Sequence, residues 1–174
     1  MTHVRPRAVL IGPMGAGKST VGRRLAEAWG VALRDIDEDV EAQAGKPISE
    51  IFVDEGEAHF RALEAAATAR ALAEHDGVLA LGGGAVLDPV TRELLAGHRV
   101  VFLEVGLSDA VKRVGIGSGR PLLLGNVRAT VKALLDERLP LYRSVATVTV
   151  QTDGRSVADV VAEVMTALEG PDLA

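Results

Sequence analysis

The chain has no cysteine among its 174 residues, which excludes disulfide bonds and thiolate metal sites. Aromatic residues are also scarce, at 3% of the chain, with one Trp, one Tyr and three Phe. So few rings argue against a platform on which the bases of a nucleic acid could stack. The core must therefore be built mainly from aliphatic side chains.

Basic residues are not in surplus either, because 19 Lys and Arg face 24 Asp and Glu, for a net charge of -5. Proteins that bind the phosphate backbone of nucleic acids normally carry a basic surplus or stripe. The chain also lacks an apolar run of the ~18 residues that indicate a membrane span, and residues 1–7 contain no signal-peptide core. We expect a cytoplasmic monomer with no nucleic-acid or membrane partner.

What the chain does contain is the composition of an ordinary globular protein. Hydrophobic residues make up 48% and charged residues 25%, a balance too apolar for a disordered chain. A compact domain of this size can bury roughly 70% of the surface of its unfolded chain. No repeat or linker interrupts the sequence, so we expect residues 1–174 to form a single domain.

Short apolar runs alternate with longer helical stretches. The runs predicted to be strands are residues 8–11, 32–36, 78–81, 100–103 and 147–150. Gly30 and Pro140 are typical of helix ends, whereas Asp88, Ser108 and Ser156 are typical of helix starts. This alternation predicts an α/β fold of three layers, α/β/α, with a five-stranded parallel sheet and ligands at the carboxyl ends of its strands.

The segment from Gly12 to Ser19 fits the pattern G-x-x-x-x-G-K-[ST] and lies between a predicted strand and a predicted helix. Its glycines let successive backbone N–H groups surround phosphate oxygens, and the helix N-terminus adds partial positive charge. Lys18 can then reach the β and γ phosphates while Ser19 offers its hydroxyl to Mg²⁺. The segment therefore predicts binding of ATP or GTP.

Two carboxylates, Asp35 and Asp37, stand at the end of the second predicted strand. In an extended segment this spacing points both side chains the same way, so that one could hold Mg²⁺ through water while the other accepts a proton. The alternative is that Asp37 and the two acidic residues after it form the first turn of a helix. The sequence alone leaves both interpretations open.

Two arginines are candidates for binding an anionic acceptor. Arg61 lies between Glu57 and Glu64 at helical spacing, and taken alone these residues favour a surface ladder of salt bridges worth a few tenths of a kcal/mol. Arg138 precedes Pro140, which we expect to end the helix and direct the arginine off its end. The planar fork of arginine suits capture of a carboxylate or phosphate.

Two glycine-rich segments are further candidates. Gly82-Gly83-Gly84 follows the third predicted strand and would let a ligand approach the backbone, or would simply form a tight connection. Residues 115–121 contain three glycines, a proline and Arg120, which fits either a surface linker or a mobile lid that carries a cation. The four histidines have no spacing typical of a ligand set, so we assign them no role.

In combination, these motifs resemble the shikimate kinase family over residues 9–164. The motifs are the P-loop through Thr20, Asp35-x-Asp37, Phe60-Arg61-x-x-Glu64, Leu81-Gly82-Gly83-Gly84-Ala85, Arg120-Pro121-Leu122-Leu123 and Arg138-x-x-x-Tyr142. The resemblance implies a P-loop kinase fold with sheet order 2-3-1-4-5 and a lid at about residues 115–126. It also implies transfer of the γ-phosphoryl group of ATP to the 3-hydroxyl of shikimate, in the biosynthesis of chorismate and the aromatic amino acids.

The resemblance further implies a role for each candidate residue. Catalytic roles fall to Lys18, Asp37 and Arg120, with Asp37 as hydroxyl ligand and base, and Mg²⁺ is served by Ser19 and Asp35. The residues that would bind ATP are Gly15, Ala16, Gly17, Lys18, Ser19, Thr20, Arg113, Arg120 and Arg155. Those that would bind shikimate are Asp37, Arg61, Gly82, Gly83, Gly84 and Arg138, with Glu64 orienting Arg61. The chain departs from some relatives at Ser156-Val157, where a proline often packs near the adenine.

Three other functions fit parts of the pattern. A gluconate kinase would share the P-loop and an acceptor with hydroxyl and carboxylate groups, and a nucleoside monophosphate kinase could hold its acceptor phosphate with Arg61 and Arg138. The Arg-Pro-Leu-Leu and Phe-Arg-x-x-Glu segments favour shikimate over both. A nucleotide-dependent switch without an acceptor is the third alternative, and the presence of Lys18, Ser19 and both aspartates argues against it.

Overall fold

The computed structural model describes residues 3–116 and 126–170. Its five strands form one parallel sheet: β1 (Ala8–Ile11), β2 (Leu33–Asp35), β3 (Val78–Ala80), β4 (Val100–Glu104) and β5 (Val148–Gln151). Their order across the sheet is β2-β3-β1-β4-β5, and every neighbouring pair is parallel. The predicted strand order is confirmed, and so is the α/β class.

Helices connect the strands and cover both faces of the sheet. They are α1 (Lys18–Trp29), α2 (Ile36–Ala44), α3 (Ile48–Glu55), α4 (Glu57–Glu74), a short 3-10 helix (Ala85–Leu87), α5 (Pro89–Leu95), α6 (Leu107–Ile116), α7 (Val127–Val145) and α8 (Val157–Leu168). Within the described ranges, none of these helices is both long and apolar enough to cross a membrane. That residues 1–174 form a single domain stays a prediction.

The apolar strand sequences follow from burial on both faces of the sheet. Leu10 of β1 belongs to a buried cluster with Leu25 of α1 and Val164 of α8, whereas its neighbour Ile11 packs with Ala67 of α4 on the other side. Successive side chains of a strand point to opposite faces, so a strand covered on both sides must be apolar at every position. This is why β1 and β3, inside the sheet, are apolar at every position, whereas the edge strands β2 and β5 also contain polar residues.

Helix starts agree with two of the three predicted caps. The side chains of Asp88 and Ser156 accept hydrogen bonds from backbone N–H groups in the first turns of α5 and α8. Ser108 was a wrong prediction, because α6 begins at Leu107 and Ser108 lies inside it. The N–H of Ala110 already donates to the carbonyl of Gly106, so helical bonding starts two residues earlier than the serine.

The expectation that Pro140 ends a helix is wrong. Helix α7 continues through it to Val145, although proline has no N–H to donate to the carbonyl one turn earlier. Arg138 and Tyr142, on either side of Pro140, are both buried. We attribute the persistence of the helix to this packing, which outweighs the loss of one intrahelical hydrogen bond.

The predicted lid at about residues 115–126 is bounded by helices. Gly115 and Ile116 close α6, so these two residues are helical and do not belong to a loop. Asn126 caps α7, because its side chain accepts a hydrogen bond of 3.1 Å from the N–H of Ala129. Residues 117–125, with Arg120 among them, lie outside the described residues, and the lid stays a prediction.

The cap of α5 yields a test of local stability. One carboxylate oxygen of Asp88 accepts hydrogen bonds from both the N–H and the hydroxyl of buried Thr91, at 3.0 and 2.9 Å. We expect Asp88→Ala to lower the free energy of unfolding by about 1–2 kcal/mol, measured by urea denaturation. Asp54→Ala is the control, because the exposed pair of Asp54 with Lys46 is worth little. Equal effects of the two variants would contradict the capping role.

Candidate active site

The P-loop lies between β1 and α1, and its shape depends on glycine. Gly12 has φ 149° and Gly17 has φ 92°, values that residues with a side chain rarely adopt. A Cβ atom on Gly12 would also lie 2.6 Å from the carbonyl oxygen of Leu103. Lys18 opens α1, and its Nζ donates to the carbonyl oxygens of Gly12 and Pro13 at 2.5 and 3.0 Å. The lysine is thereby held over the loop.

Asp35 connects the P-loop with α2. One of its carboxylate oxygens accepts the N–H of Asp37 at 2.8 Å, and the other accepts the hydroxyl of Ser19 at 3.3 Å. The predicted extended segment through Asp37 is therefore wrong, because Asp35 is the last residue of β2 and caps α2, and Asp37 lies in the acidic first turn of that helix. A carboxylate that caps a helix ends the strand at itself. Both aspartates nevertheless line the same cavity.

Two adjoining cavities meet at this point. A cavity of about 200 Å³ is lined by the P-loop, including Lys18 and Thr20, and a second of about 420 Å³ extends between α2, α3, α4 and α7. Residues that line both cavities are Met14, Ser19, Asp35, Asp37, Gly82 and Gly83. The larger cavity is also lined by the predicted acceptor residues Arg61, Gly84 and Arg138. The structure thus brings the candidate phosphate and acceptor residues together.

The three glycines after β3 lie where side chains of the larger cavity approach the backbone. A Cβ atom on Gly82 would be 2.7 Å from the Oε2 atom of Glu64 and 3.0 Å from a carboxylate oxygen of Asp37. On Gly84 it would lie 2.5 Å from the guanidinium carbon of Arg61. Gly82 and Gly84 therefore leave room for these charged groups, whereas a Cβ atom on Gly83 would make only ordinary contacts, the nearest at 3.5 Å.

Arg61 forms both of the salt bridges that its sequence spacing allows, and the two differ in kind. Glu57, at 3.4 Å, is 52% exposed, whereas Glu64, at 2.9 Å, is 4% exposed. Burial raises the pKa of the Glu64 carboxyl, and the neighbouring Arg61 partly opposes that shift. The predicted surface salt bridge is therefore the one with Glu57. The salt bridge with Glu64 is buried and fixes the guanidinium of Arg61 from inside the protein.

Two guanidinium groups carry buried atoms without a partner. Arg138 is 5% exposed, and within the described residues neither its Nε nor the Nε of Arg61 has a hydrogen-bond partner. A buried cation with an unpaired N–H is costly unless an anion compensates it. The two arginines line one cavity, so an anion bound there would lie close to both positive charges.

Tyr142 connects the glycine loop of the larger cavity with the hydrophobic core. Its hydroxyl donates to the carbonyl oxygen of Gly83 at 2.6 Å, and its ring stacks on Phe102 with the ring centres 4.9 Å apart. Burial raises the pKa of Tyr142 to about 12, opposed in part by the charge of Arg138. The phenol therefore stays a hydrogen-bond donor at every physiological pH.

Two further arginines that were predicted to bind ATP, Arg113 and Arg155, make contacts with other parts of the protein. The guanidinium of Arg113 donates to the P-loop carbonyl of Gly15 at 2.8 Å and to the hydroxyl and carbonyl of Thr152, both at 3.3 Å. Arg155 pairs with Glu163 and donates to the carbonyl of Gln151, and it lines neither of the two adjoining cavities. Their contacts with a nucleotide stay predictions.

The larger cavity also includes residues that the sequence analysis did not assign to the site. They are Met14, Glu38, Glu41, Pro47, Ile48, Ser49, Phe52 and Phe60. The rings of Phe52 and Phe60 pack together with their centres 4.9 Å apart, and Glu41 accepts the N–H of Ile48 at 3.0 Å, which holds α3 against α2. Phe60 stands beside Arg61 in its motif, and that adjacency was the available signal. The others depend on how the α2–α3 turn folds back.

A P-loop cavity that opens into a pocket with paired arginines defines the class of a small-molecule kinase. The family model described as Shikimate kinase matches residues 14–169. A shikimate kinase of Salinispora arenicola is 63% identical over 163 residues, which cover 94% of this chain and 98% of the relative. The structure of shikimate kinase from Acinetobacter baumannii in complex with shikimate matches at 36% identity and a TM-score of 0.90, over 95% of this chain and 93% of that chain. The chain belongs to the shikimate kinase family.

The comparison with a gluconate kinase, the first alternative, shows only a shared fold. A gluconokinase of Sinorhizobium meliloti matches with a TM-score of 0.57 and 22% identity, over 96% of this chain and 93% of that chain. At this identity the structural match shows a shared fold and nothing more. It gives no support for gluconate as the acceptor.

The buried phenol gives a prediction that can be measured directly. Tyr142 is the chain's one tyrosine, so absorbance of the phenolate reports this group alone, and we expect a midpoint at about 12 in the folded protein against about 10 in denaturant. Between about pH 10 and pH 12 the phenol stays protonated in the folded protein and is ionised in the unfolded chain, so unfolding releases a proton. The free energy of unfolding therefore falls as pH rises from about 10 to about 12. A folded-state midpoint near the denatured value would mean that the phenol is open to water.

Proposed function

We propose that this chain transfers the γ-phosphoryl group of ATP to the 3-hydroxyl of shikimate, giving shikimate 3-phosphate and ADP in the pathway to chorismate. The observation that carries the proposal is the junction of the two cavities, with Asp37 at the junction and with Arg61 and Arg138, whose Nε atoms have no partner within the described residues, lining the larger one. An acceptor with one carboxylate and several hydroxyls fits that arrangement. Family membership and the shikimate complex of the Acinetobacter baumannii relative support it.

The nucleotide half of the site lies at the P-loop. Residues 15–20 would bind the phosphates through backbone N–H groups, with the charge of Lys18 at the β and γ phosphates. The hydroxyl of Ser19 and the carboxylate of Asp35, 3.3 Å apart, are oxygen donors that fit Mg²⁺. Within the described residues no cluster of three acidic or histidine side chains would hold a metal alone, so phosphates and water would complete the shell. When bound, Mg²⁺ neutralises phosphate charge.

The acceptor half would hold shikimate at both ends. Arg61 and Arg138 bind its carboxylate, with Glu64 fixing Arg61 through the 2.9 Å hydrogen bond. Phe52 and Phe60 form an apolar wall, while the backbone of the Gly82–Gly84 loop faces the ring hydroxyls. Each of these residues lines the same cavity.

In the transfer step, the 3-hydroxyl oxygen forms a bond to the γ-phosphorus as the bond from that phosphorus to ADP breaks. The proton of the hydroxyl passes to the Asp37 carboxylate. The N–H of Asp37 is held by Asp35, which fixes the start of α2 and with it the position of that carboxylate. Lys18 stabilises the developing charge, and Arg120 is proposed to add a second cation.

The charge of the larger cavity argues against a nucleotide acceptor. Five carboxylates line it, from Asp35, Asp37, Glu38, Glu41 and Glu64, against the two guanidinium groups of Arg61 and Arg138. An acceptor that carries a phosphate dianion would be repelled more strongly than one with a single carboxylate. This favours shikimate over a nucleoside monophosphate.

The direct test measures ADP release with purified protein, ATP and Mg²⁺. The acceptors are shikimate, quinate, gluconate, AMP and CMP, with a reaction without acceptor as the baseline. We expect release above baseline with shikimate and a product that carries one phosphate at the 3-position. Faster release with gluconate or AMP, or equal release without acceptor, would overturn the proposal.

Arg138→Lys tests the carboxylate clamp. Lysine keeps the charge but loses the bidentate fork, so we expect the KM for shikimate to rise about tenfold while the KM for ATP stays within about twofold. Arg143→Lys is the matched control, because Arg143 is 61% exposed on the same helix and pairs with Glu104 at 3.2 Å. Steady-state kinetics of the two variants should differ. Equal shifts of the KM for shikimate and the KM for ATP in Arg138→Lys would mean that Arg138 does not bind the acceptor.

Asp37→Asn tests the proposed base. Asparagine cannot accept the hydroxyl proton, so we expect kcat to fall by about 10²–10⁴ with nucleotide affinity little changed. Asp39→Asn is the control two positions further along α2, where Asp39 pairs with Arg34 at 2.7 Å, and its kcat should stay near that of the original protein. Loss of nucleotide binding with normal turnover at saturation would instead assign Asp37 to the metal site.

A further inference from the structure

The loop from Gly82 to Gly84 is held by three carbonyl hydrogen bonds of two kinds. The carbonyls of Gly82 and Gly84 accept backbone N–H groups of Ala85 and Leu87, at 3.1 and 3.0 Å. The middle carbonyl, that of Gly83, instead accepts the hydroxyl of Tyr142 at 2.6 Å. The centre of the loop therefore depends on a side chain that α7 supplies.

This bond fixes more than one atom. The described peptide bonds are all trans, so the carbonyl of Gly83 and the N–H of Gly84 lie in one plane and point in opposite directions. A glycine has no Cβ to restrict its backbone, and two adjacent glycines leave this plane free to rotate unless something binds it. The phenol of Tyr142 supplies that constraint.

The phenol itself is anchored on two sides. Tyr142 is 1% exposed, and its ring stacks on Phe102 of β4, the strand next to the P-loop strand. It lies four residues after Arg138 on α7, and side chains at this spacing lie on the same face of a helix. The unbroken course of α7 through Pro140 keeps the two in register.

Gly83 and Arg138 are close neighbours in the cavity. A Cβ atom on Gly83 would lie 3.5 Å from the Nη1 atom of Arg138, so the guanidinium packs against the loop itself. A rotation of the Gly83–Gly84 plane would move backbone atoms against that cation. The charge of Arg138 is also felt at the phenol, where it partly offsets the effect of burial.

We propose that Tyr142 is a positioning residue of the acceptor site: its hydroxyl holds the glycine loop and Arg138 in the one arrangement that shikimate binds. The inference rests on the proposed function. Tyr142 does not line the acceptor cavity and acts through Gly83 and Arg138. Its removal should therefore weaken acceptor binding while leaving the nucleotide and the transfer step intact.

Tyr142→Phe removes the hydroxyl and keeps the ring. We expect the KM for shikimate to rise about tenfold, kcat to stay within about threefold and the KM for ATP to stay within about twofold. Thr91→Val is the matched control, because it removes another buried hydroxyl that donates a hydrogen bond, at 2.9 Å to Asp88, in a helix outside the site. Both variants should lower Tm, and only Tyr142→Phe should change the KM for shikimate.

The outcomes separate this inference from the function on which it rests. If the unmodified protein does not phosphorylate shikimate, the proposed function fails. If it does and the two variants share one kinetic profile, Tyr142 is structural and the inference fails.

A second measurement needs no variant. With ring-labelled tyrosine the chain gives one set of phenol resonances, which saturating shikimate should shift and ADP alone should leave in place. Unshifted resonances with shikimate bound would also overturn the inference.

Discussion

The larger cavity depends on the close approach of charged side chains to the three glycines of residues 82–84, which have no side chains of their own. Glu64 and Asp37 come so near Gly82, and Arg61 so near Gly84, that a single methyl group would displace them. These side chains come from α2 and α4, so the loop after β3 is where charged groups from two helices meet the backbone. The absence of side chains at Gly82 and Gly84 thus leaves these charged groups room at the edge of the cavity.

The cavity also contains polar groups whose hydrogen bonding and charge an anionic ligand would compensate. Arg61 and Arg138 keep buried N–H groups unpaired within the described residues, and the Glu64 carboxyl has a raised pKa although it touches a guanidinium. Such groups destabilise the empty protein and gain most from an anion of the right shape. The arrangement favours tight recognition of one carboxylate, at a cost to stability that the aliphatic core on both faces of the sheet offsets.

The sequence predicted those features that local chemistry decides. The P-loop, the caps at Asp88 and Ser156 and the strand order depend on short motifs and on a resemblance that spans most of the chain. Three local predictions were wrong. At Asp35 and Pro140 the residue allows two backbone courses, since a carboxylate can continue a strand or cap a helix and a proline can end a helix or lie inside one. At Ser108 the helix begins one residue before the expected cap. Burial of Glu64 and the carboxylates of Glu38 and Glu41 at the cavity could not be predicted, because they depend on how α2, α3 and α4 fold against each other.

Single side chains connect the proposed nucleotide and acceptor halves of the site. Asp35 binds Ser19 with one oxygen and the N–H of Asp37 with the other, so a shift of the proposed metal ligand changes the start of the helix that carries the proposed base. Arg113 ties the P-loop carbonyl of Gly15 to Thr152 after β5, one turn before α6 ends. Each link joins one side chain to a backbone group, the N–H of Asp37 or the carbonyl of Gly15, and to a hydroxyl, that of Ser19 or Thr152. These contacts therefore link the P-loop to the first turn of α2 and to α6, the two elements that flank the proposed sites of the base and the lid.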